Sequence, residues 1–223
     1  MSIVTFWNDS REQTGKTLTA VAVATKMAIE RNFKILLIST AYKDPTMKNC
    51  FWVSANKKKN TLVPMKNNIA VENGIEGLSK LIKSNKIQPS IITDYTRVIF
   101  KNRLEVLSGY VGEIDKNNDE NLQDYHGLSD CYIELIKLAN QFYDMVLVDL
   151  DNKLQESVKK EILEMSNVNV LVLSQRIVSL DNYNDMKNNK SEFINPKCIP
   201  VIAKYSKKTK YNKKNIMKYL DEK

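Results

Sequence analysis

Four residues near the N-terminus, Thr14-Gly15-Lys16-Thr17, have the types and the order that hold a phosphate. A phosphate cradle needs backbone N–H groups turned into a concavity, with the positive end of a helix behind them. Gln13, Thr14, Gly15, Lys16, Thr17 and Leu18 are the candidate cradle residues. Glycine at position 15 lets the backbone approach the ligand without a Cβ in between. Lys16 is placed to reach β- and γ-phosphates, and the Thr17 hydroxyl to ligate Mg²⁺. The pattern G-x-x-x-x-G-K-[ST] wants a glycine where Ser10 stands. A plain helix N-cap is the competing reading of these residues. Position favours the phosphate loop, because the motif lies between an apolar strand-like run, Ile3–Trp7, and a helix-like run, Leu18–Arg31.

A second acidic element belongs with it. Met145-Val146-Leu147-Val148-Asp149 is an apolar run ending in a carboxylate, which would be costly to bury uncompensated. A Mg²⁺-bound water gives Asp149 a partner; the alternative is an aspartate that caps backbone. Asp151 reads as a loop or N-cap residue, and Asp44, before Pro45, as a turn residue. Trp7 and Trp52 read as packing residues, and Arg176 as either a phosphate or partner contact or a surface salt bridge. Cys50, Cys131 and Cys198 are odd in number and far apart, so no disulfide framework or metal spacing emerges, and each reads as a small buried hydrophobe. The single histidine, His126, reads as a surface or turn residue.

The elements that must position these groups alternate along the chain. Helical spacing in 18–31 places Leu18, Val21, Ala22, Thr25, Ala28 and Ile29 on one face. Lys34–Ser39, Val98–Phe100, Met145–Asp149, Asn169–Ser174 and Cys198–Ala203 read as strands, while Ser90-Ile91-Ile92 is short and apolar without a strong strand pattern. Ile75–Ser84, Ser129–Phe142, Leu154–Met165, Leu180–Lys190 and Asn212–Leu220 read as helices, and Asp115–Asp124 as an exposed polar loop. Apolar strands between amphipathic helices predict an α/β three-layer sandwich around a mostly parallel sheet, formed by 1–223 as a single domain.

Composition bounds the rest. With 43% hydrophobic and 27% charged residues the chain is ordinary globular material. No run approaches the roughly 20 apolar residues of a membrane span. The run Ile3–Phe6 lacks a basic lead-in, so no secretory leader is expected. The reduced cysteines point to the cytoplasm. The net charge is +8, and residues 197–223 hold nine lysines against Asp221 and Glu222. Such a basic end suits an anionic partner, either DNA or lipid headgroups at the inner face of a membrane, or is a solvated surface in a Lys-rich chain. Ile216, Met217 and Leu220 form a short apolar stripe beside those lysines.

With these residues placed, the chain resembles the ParA/MinD-like deviant P-loop ATPases of the SIMIBI class. Arg11-Glu12-Gln13-Thr14-Gly15-Lys16-Thr17 is similar to their K-G-G-x-G-K-[ST], Phe33–Thr46 to their second strand and switch, and Tyr143–Asp149 to their Walker B segment. Val170–Leu180, with Ser174-Gln175-Arg176, looks like the strand and loop that follow. The overall character is closest to TadZ-like and ParA-like proteins encoded beside Gram-positive pilus or secretion genes.

The resemblance implies an ATP- and Mg²⁺-dependent homodimeric switch that positions pilus, secretion or partition machinery. It puts Arg11 at the position of the signature lysine that reaches the partner subunit's phosphates, and makes Asp44 the candidate for orienting water. The departures are specific. Ser39 and Ala41 stand where the switch carboxylates belong, Ala203 where an asparagine reads adenine, and Glu12 and Gln13 where glycines stand. The chain also stops before a strand and helix that family members commonly add. The resemblance therefore implies slow hydrolysis, with a non-hydrolysing nucleotide-bound scaffold and a DNA-binding partition ATPase as alternatives.

Overall fold

The computed structural model describes residues 1–8, 13–51, 74–85, 87–112, 117–189 and 197–221. Among them seven strands form one sheet in the order β3-β4-β2-β5-β1-β6-β7. The strands are β1 (Ser2–Trp7), β2 (Ile35–Ser39), β3 (Arg97–Phe100), β4 (Leu104–Leu107), β5 (Met145–Asp149), β6 (Val168–Leu173) and β7 (Cys198–Ile202). Every pairing is parallel except that of β3 with β4. The α/β three-layer architecture expected from sequence is the one observed.

Strand alternation sorts the core into two layers. Val4 and Phe6, Ile35 and Leu37, Leu147, and Val172 point to one face. Ile3 and Trp7, Leu36 and Ile38, Val146 and Val148, and Leu171 and Leu173 point to the other. The first face is covered by α1 (Lys16–Glu30) and α2 (Thr46–Phe51). The second packs against α3 (Ile75–Lys83), α4 (Asn118–Gly127), α5 (Ser129–Ala139), α6 (Glu156–Met165), α7 (Ile177–Asn189) and α8 (Lys213–Tyr219).

Several expectations change. The buried stripe of α1 is Ala20, Ala24 and Ala28, whereas Leu18 and Ile29 are half or more exposed and Ala22 is exposed. Small residues at i, i+4 let this helix lie close to the sheet, and bulk alone misidentifies its inner face. The polar stretch read as a loop over 115–124 instead holds the start of α4. Asn117 accepts from the Glu120 N–H while the Glu120 carboxylate accepts from the Asn117 N–H, a capping box that starts a helix of low apolar content. Ser90–Ile92 lies in a 3₁₀ helix, Pro89–Tyr95. Strand β4 was not anticipated, because its four residues include the buried Glu105.

Cys131 is buried, but Cys50 is exposed and Cys198 half-buried. Trp7 is buried as expected, and Trp52 lies outside the described residues. His126 sits in the last turn of α4, its Nε2 3.1 Å from the Lys153 carbonyl. The apolar stripe of α8 does not face outward: Ile216 and Leu220 are 2% and 5% exposed and belong to the core, which removes the basis for membrane attachment by that stripe. Among the described residues no helix is long and apolar enough to cross a membrane.

Candidate nucleotide site

The site is assembled at the carboxyl ends of the parallel strands. Asp149 is the last residue of β5, in register with Phe6 of β1 on one side and Ser39 of β2 on the other. Alternation turns its side chain to the face that α1 covers, two residues after Leu147, and the first turn of α1 begins above it. The Thr17 hydroxyl donates to Asp149 Oδ2 at 2.8 Å, and Lys16 Nζ stands 3.1 Å from Asp149 Oδ1 while also donating to the Leu150 carbonyl. Asp149 is 1% exposed, so its charge is balanced by these two residues from 132 and more positions earlier in the chain.

Gly15 occupies the N-cap of α1 with φ 92°, a left-handed conformation that disfavours a side chain. The first intrahelical bond runs from Thr19 N–H to the Gly15 carbonyl at 2.9 Å. The N–H groups of Lys16, Thr17 and Leu18 therefore belong to the turn whose donors a helix cannot satisfy itself. The N-cap reading of the motif is met at Gly15, and the same helix end leaves the phosphate-loop reading open. Thr14 is 2% exposed, and its Oγ1 has no hydrogen-bond partner among the described residues.

These residues open onto a cavity of about 800 Å³. Gln13, Thr14, Gly15, Lys16, Thr17 and Leu18 line it, together with Ala41, Asp44, Asp149 and Asp151. The carboxylates of Asp44 and Asp151 are engaged. Asp44 Oδ1 accepts from the Thr46 N–H at 2.8 Å and its hydroxyl at 2.5 Å, holding the start of α2. Asp151 accepts from the Tyr42 N–H at 2.9 Å and the Lys153 N–H at 2.7 Å, as a loop-organising residue would. The Ser39 hydroxyl, 2% exposed as a residue, accepts from the Ala41 N–H at 3.2 Å. The Cys50 thiol of α2 is pushed above its ordinary range by partial burial first and then by the charges of Asp149 and Asp44.

No protein-family model and no curated protein matches the sequence. Solved structures do match the fold. A ParA family ATPase from Chlorobium tepidum TLS superposes with a TM-score of 0.68 at 14% identity, over 99% of this chain and 81% of that one. A putative plasmid partition protein from Borrelia burgdorferi B31, bound to AMPPNP, gives 0.65 at 16% identity over 100% and 81%. The septum site-determining protein MinD from Pyrococcus horikoshii OT3, complexed with Mg-ADP, gives 0.62 at 14% identity over 100% and 78%. The chain has the ParA/MinD-like P-loop fold.

Within that fold, the expected residues Gln13 to Leu18, Asp44 and Asp149 line one cavity, and Arg11 and Glu12 lie outside the described residues. Ala203 continues the edge of the sheet, its N–H donating to the Leu173 carbonyl at 3.0 Å. Gln175, after β6, uses its amide on the Ser206 and Tyr211 carbonyls and the Ser206 N–H, which organises the loop leading to α8. Sequence reasoning did not single out Asn8, Asn152, Lys153 or Lys204, which also line the cavity. In the sequence Lys204 falls among the basic C-terminal lysines. Its position directly after the expected strand Cys198–Ala203 was the available signal.

Proposed function

We propose that this protein is a single-domain, cytoplasmic Mg²⁺-ATP-binding switch of the ParA/MinD kind, dimeric when loaded and slow to hydrolyse. The observation that carries the proposal is the junction of Thr17 and Lys16 with the buried Asp149. A hydroxyl at the start of a helix, a carboxylate at the end of a central strand and a lysine between them are the groups a Mg²⁺-nucleotide requires. The donor set fits the group. Thr17 would ligate the metal, Asp149 would hold one of its waters, and the metal would neutralise charge on the phosphates. Lys16 would exchange the Asp149 carboxylate for phosphate oxygens, with Arg11 as the cation offered to a partner subunit.

Slow turnover follows from the carboxylates available. Ser39 and Ala41 carry no carboxylate, and Asp44 and Asp151 already accept backbone N–H groups. This also favours a second reading, a nucleotide-bound scaffold without hydrolysis. The machinery served is read from sequence resemblance to TadZ-like and ParA-like proteins of pilus or secretion clusters. A partition role with DNA as partner is the further reading, supported by the exposed lysines near α8.

Calorimetric titration with Mg-ATP tests the proposal. Saturable binding should appear in the wild-type protein, and Lys16→Ala should weaken it about a hundredfold or more, the expectation for losing a charged phosphate contact. Unchanged binding in that variant would overturn the reading. Phosphate release that Lys16→Ala abolishes would overturn the scaffold alternative.

A further inference from the structure

Thr14 carries a buried hydroxyl that the rest of the protein leaves unsatisfied. The residue is 2% exposed and lines the cavity, and its Oγ1 has no hydrogen-bond partner among the described residues. Buried polar groups are nearly always hydrogen-bonded, so an orphan at a cavity wall calls for a specific cause.

The polar groups next to it in the chain are committed elsewhere. Lys16 donates to the Leu150 carbonyl and faces Asp149 Oδ1, and Thr17 donates to Asp149 Oδ2. The Thr19 hydroxyl donates to the Gly15 carbonyl at 3.0 Å. The backbone on both sides of Thr14 is also held. The Gln13 carbonyl accepts from Lys204 Nζ at 3.3 Å. Gly15, at φ 92°, packs so closely on the β7 side that a Cβ there would lie 3.2 Å from Lys204 Cε and 3.5 Å from Ala203 Cβ. The loop is therefore not free to carry the hydroxyl to a protein acceptor.

The electrostatics identify what completes it. Thr14 immediately precedes the N-cap of α1, where the unsatisfied first-turn N–H groups and the positive end of the helix favour negative charge. A threonine hydroxyl can donate or accept, and beside an anion it donates.

We propose that the Thr14 side chain is itself a phosphate ligand, its Oγ1 donating to a phosphate oxygen of the bound nucleotide. This contact is additional to the backbone N–H groups and Lys16, and it has a property they lack. The buried hydroxyl destabilises the protein on its own, and the bond that relieves the cost forms only with the ligand. Stability is commonly sacrificed in this way at sites built for binding. The contact is to the phosphate chain, so nucleotides and inorganic polyphosphate use it alike.

This inference rests on the nucleotide reading and is separable from it. Thr14→Val keeps the shape of the side chain and removes the hydroxyl; Thr14→Ser keeps the hydroxyl. Urea unfolding of the ligand-free proteins is compared with calorimetric affinities for Mg-ATP and for inorganic tripolyphosphate with Mg²⁺. Thr14→Val should unfold at an equal or higher urea midpoint than the wild type, yet bind both ligands about tenfold more weakly, the scale of one hydrogen bond to a charged group. Thr14→Ser should retain most of the affinity. A lower midpoint in Thr14→Val would show that the hydroxyl is already bonded in the free protein, and overturns the assignment. So does unchanged affinity for both ligands, or a loss confined to Mg-ATP. Lys16→Ala separates the two readings. If it still weakens binding while Thr14→Val does not, the nucleotide site stands without the Thr14 contact; if it binds as the wild type does, both fall.

Discussion

The junction at Asp149 makes a prediction about stability as well as binding. Its carboxylate is 1% exposed and balanced by the Lys16 ammonium and the Thr17 hydroxyl. Removing one partner of a buried pair leaves the other charge unpaired, the costly case, whereas neutralising both removes the conflict. Lys16→Ala should therefore lower unfolding stability by about 2 kcal/mol, a discounted value because the lysine retains some solvent access. Lys16→Ala with Asp149→Asn should recover most of that loss without recovering nucleotide binding. Urea unfolding of the two variants checks it, and equal stabilities would contradict the pairing. Cysteine chemistry reports the same neighbourhood. Cys50 is exposed, beside Asp149 and Asp44, while Cys131 is buried. The thiolate is the reactive form, and the Cys50 thiol is raised above its ordinary 9.0. A folded sample treated with iodoacetamide should label Cys50 first and Cys131 only on unfolding. The midpoint of the pH–rate profile at Cys50 should lie above pH 9.0, the midpoint of an unperturbed thiol.

At the scale of elements, what could be read from the sequence depended on how much of each signal was local. β1, β2, β5, β6 and β7 are mostly β-branched and aliphatic runs, and sequence places all five close to their observed limits. Their carboxyl ends carry the site, so the end of β5 at Asp149 and the start of α1 at Lys16 were legible too. The pairing of β1 with β5 was not, because register between distant strands is decided by tertiary packing. β4 escaped notice because Glu105 interrupts it; that carboxylate is tolerated only because the Tyr143 hydroxyl and the Thr96 hydroxyl donate to it and Lys34 lies 3.8 Å away. α4 escaped because its signal is a cap and not an apolar face. Its contribution is measurable: Asn117→Ala removes the side-chain acceptor of the Glu120 N–H and should destabilise the protein by about 1 kcal/mol. Tyr125 in α4 donates to the Thr40 carbonyl at 2.7 Å, so loosening this helix also loosens the strand end behind Ala41. Chemical denaturation of the variant would show the midpoint falling with an unchanged slope.

For the whole molecule, the distribution of charge decides which lysines can meet a polyanion. The excess of +8 is concentrated in the C-terminal segment, yet its lysines are not equivalent. Lys197 donates to the Glu164 and Ser166 carbonyls, and Lys204 donates to the Gln13 carbonyl and lies beside Gly15. Lys207, Lys208, Lys210, Lys213, Lys214 and Lys218 are exposed around the loop before α8 and on α8 itself. Gln175 ties this loop to the end of β6, and Asn212 caps the helix by accepting from the Asn215 N–H at 3.1 Å. The exposed set is thus displayed on an ordered support. If DNA is the partner, affinity for a random duplex should fall as salt rises, with a log–log slope of about −0.9 per phosphate neutralised. Replacing Lys207, Lys208 and Lys210 together by Gln should flatten that slope by two to three contacts, about 2 in slope. Lys197→Gln should leave the slope unchanged, because that ammonium is directed to carbonyls of the protein itself. Fluorescence anisotropy across a salt series measures both. A flat wild-type response at low salt would remove DNA from the list of partners and leave the lysines as a solvated face.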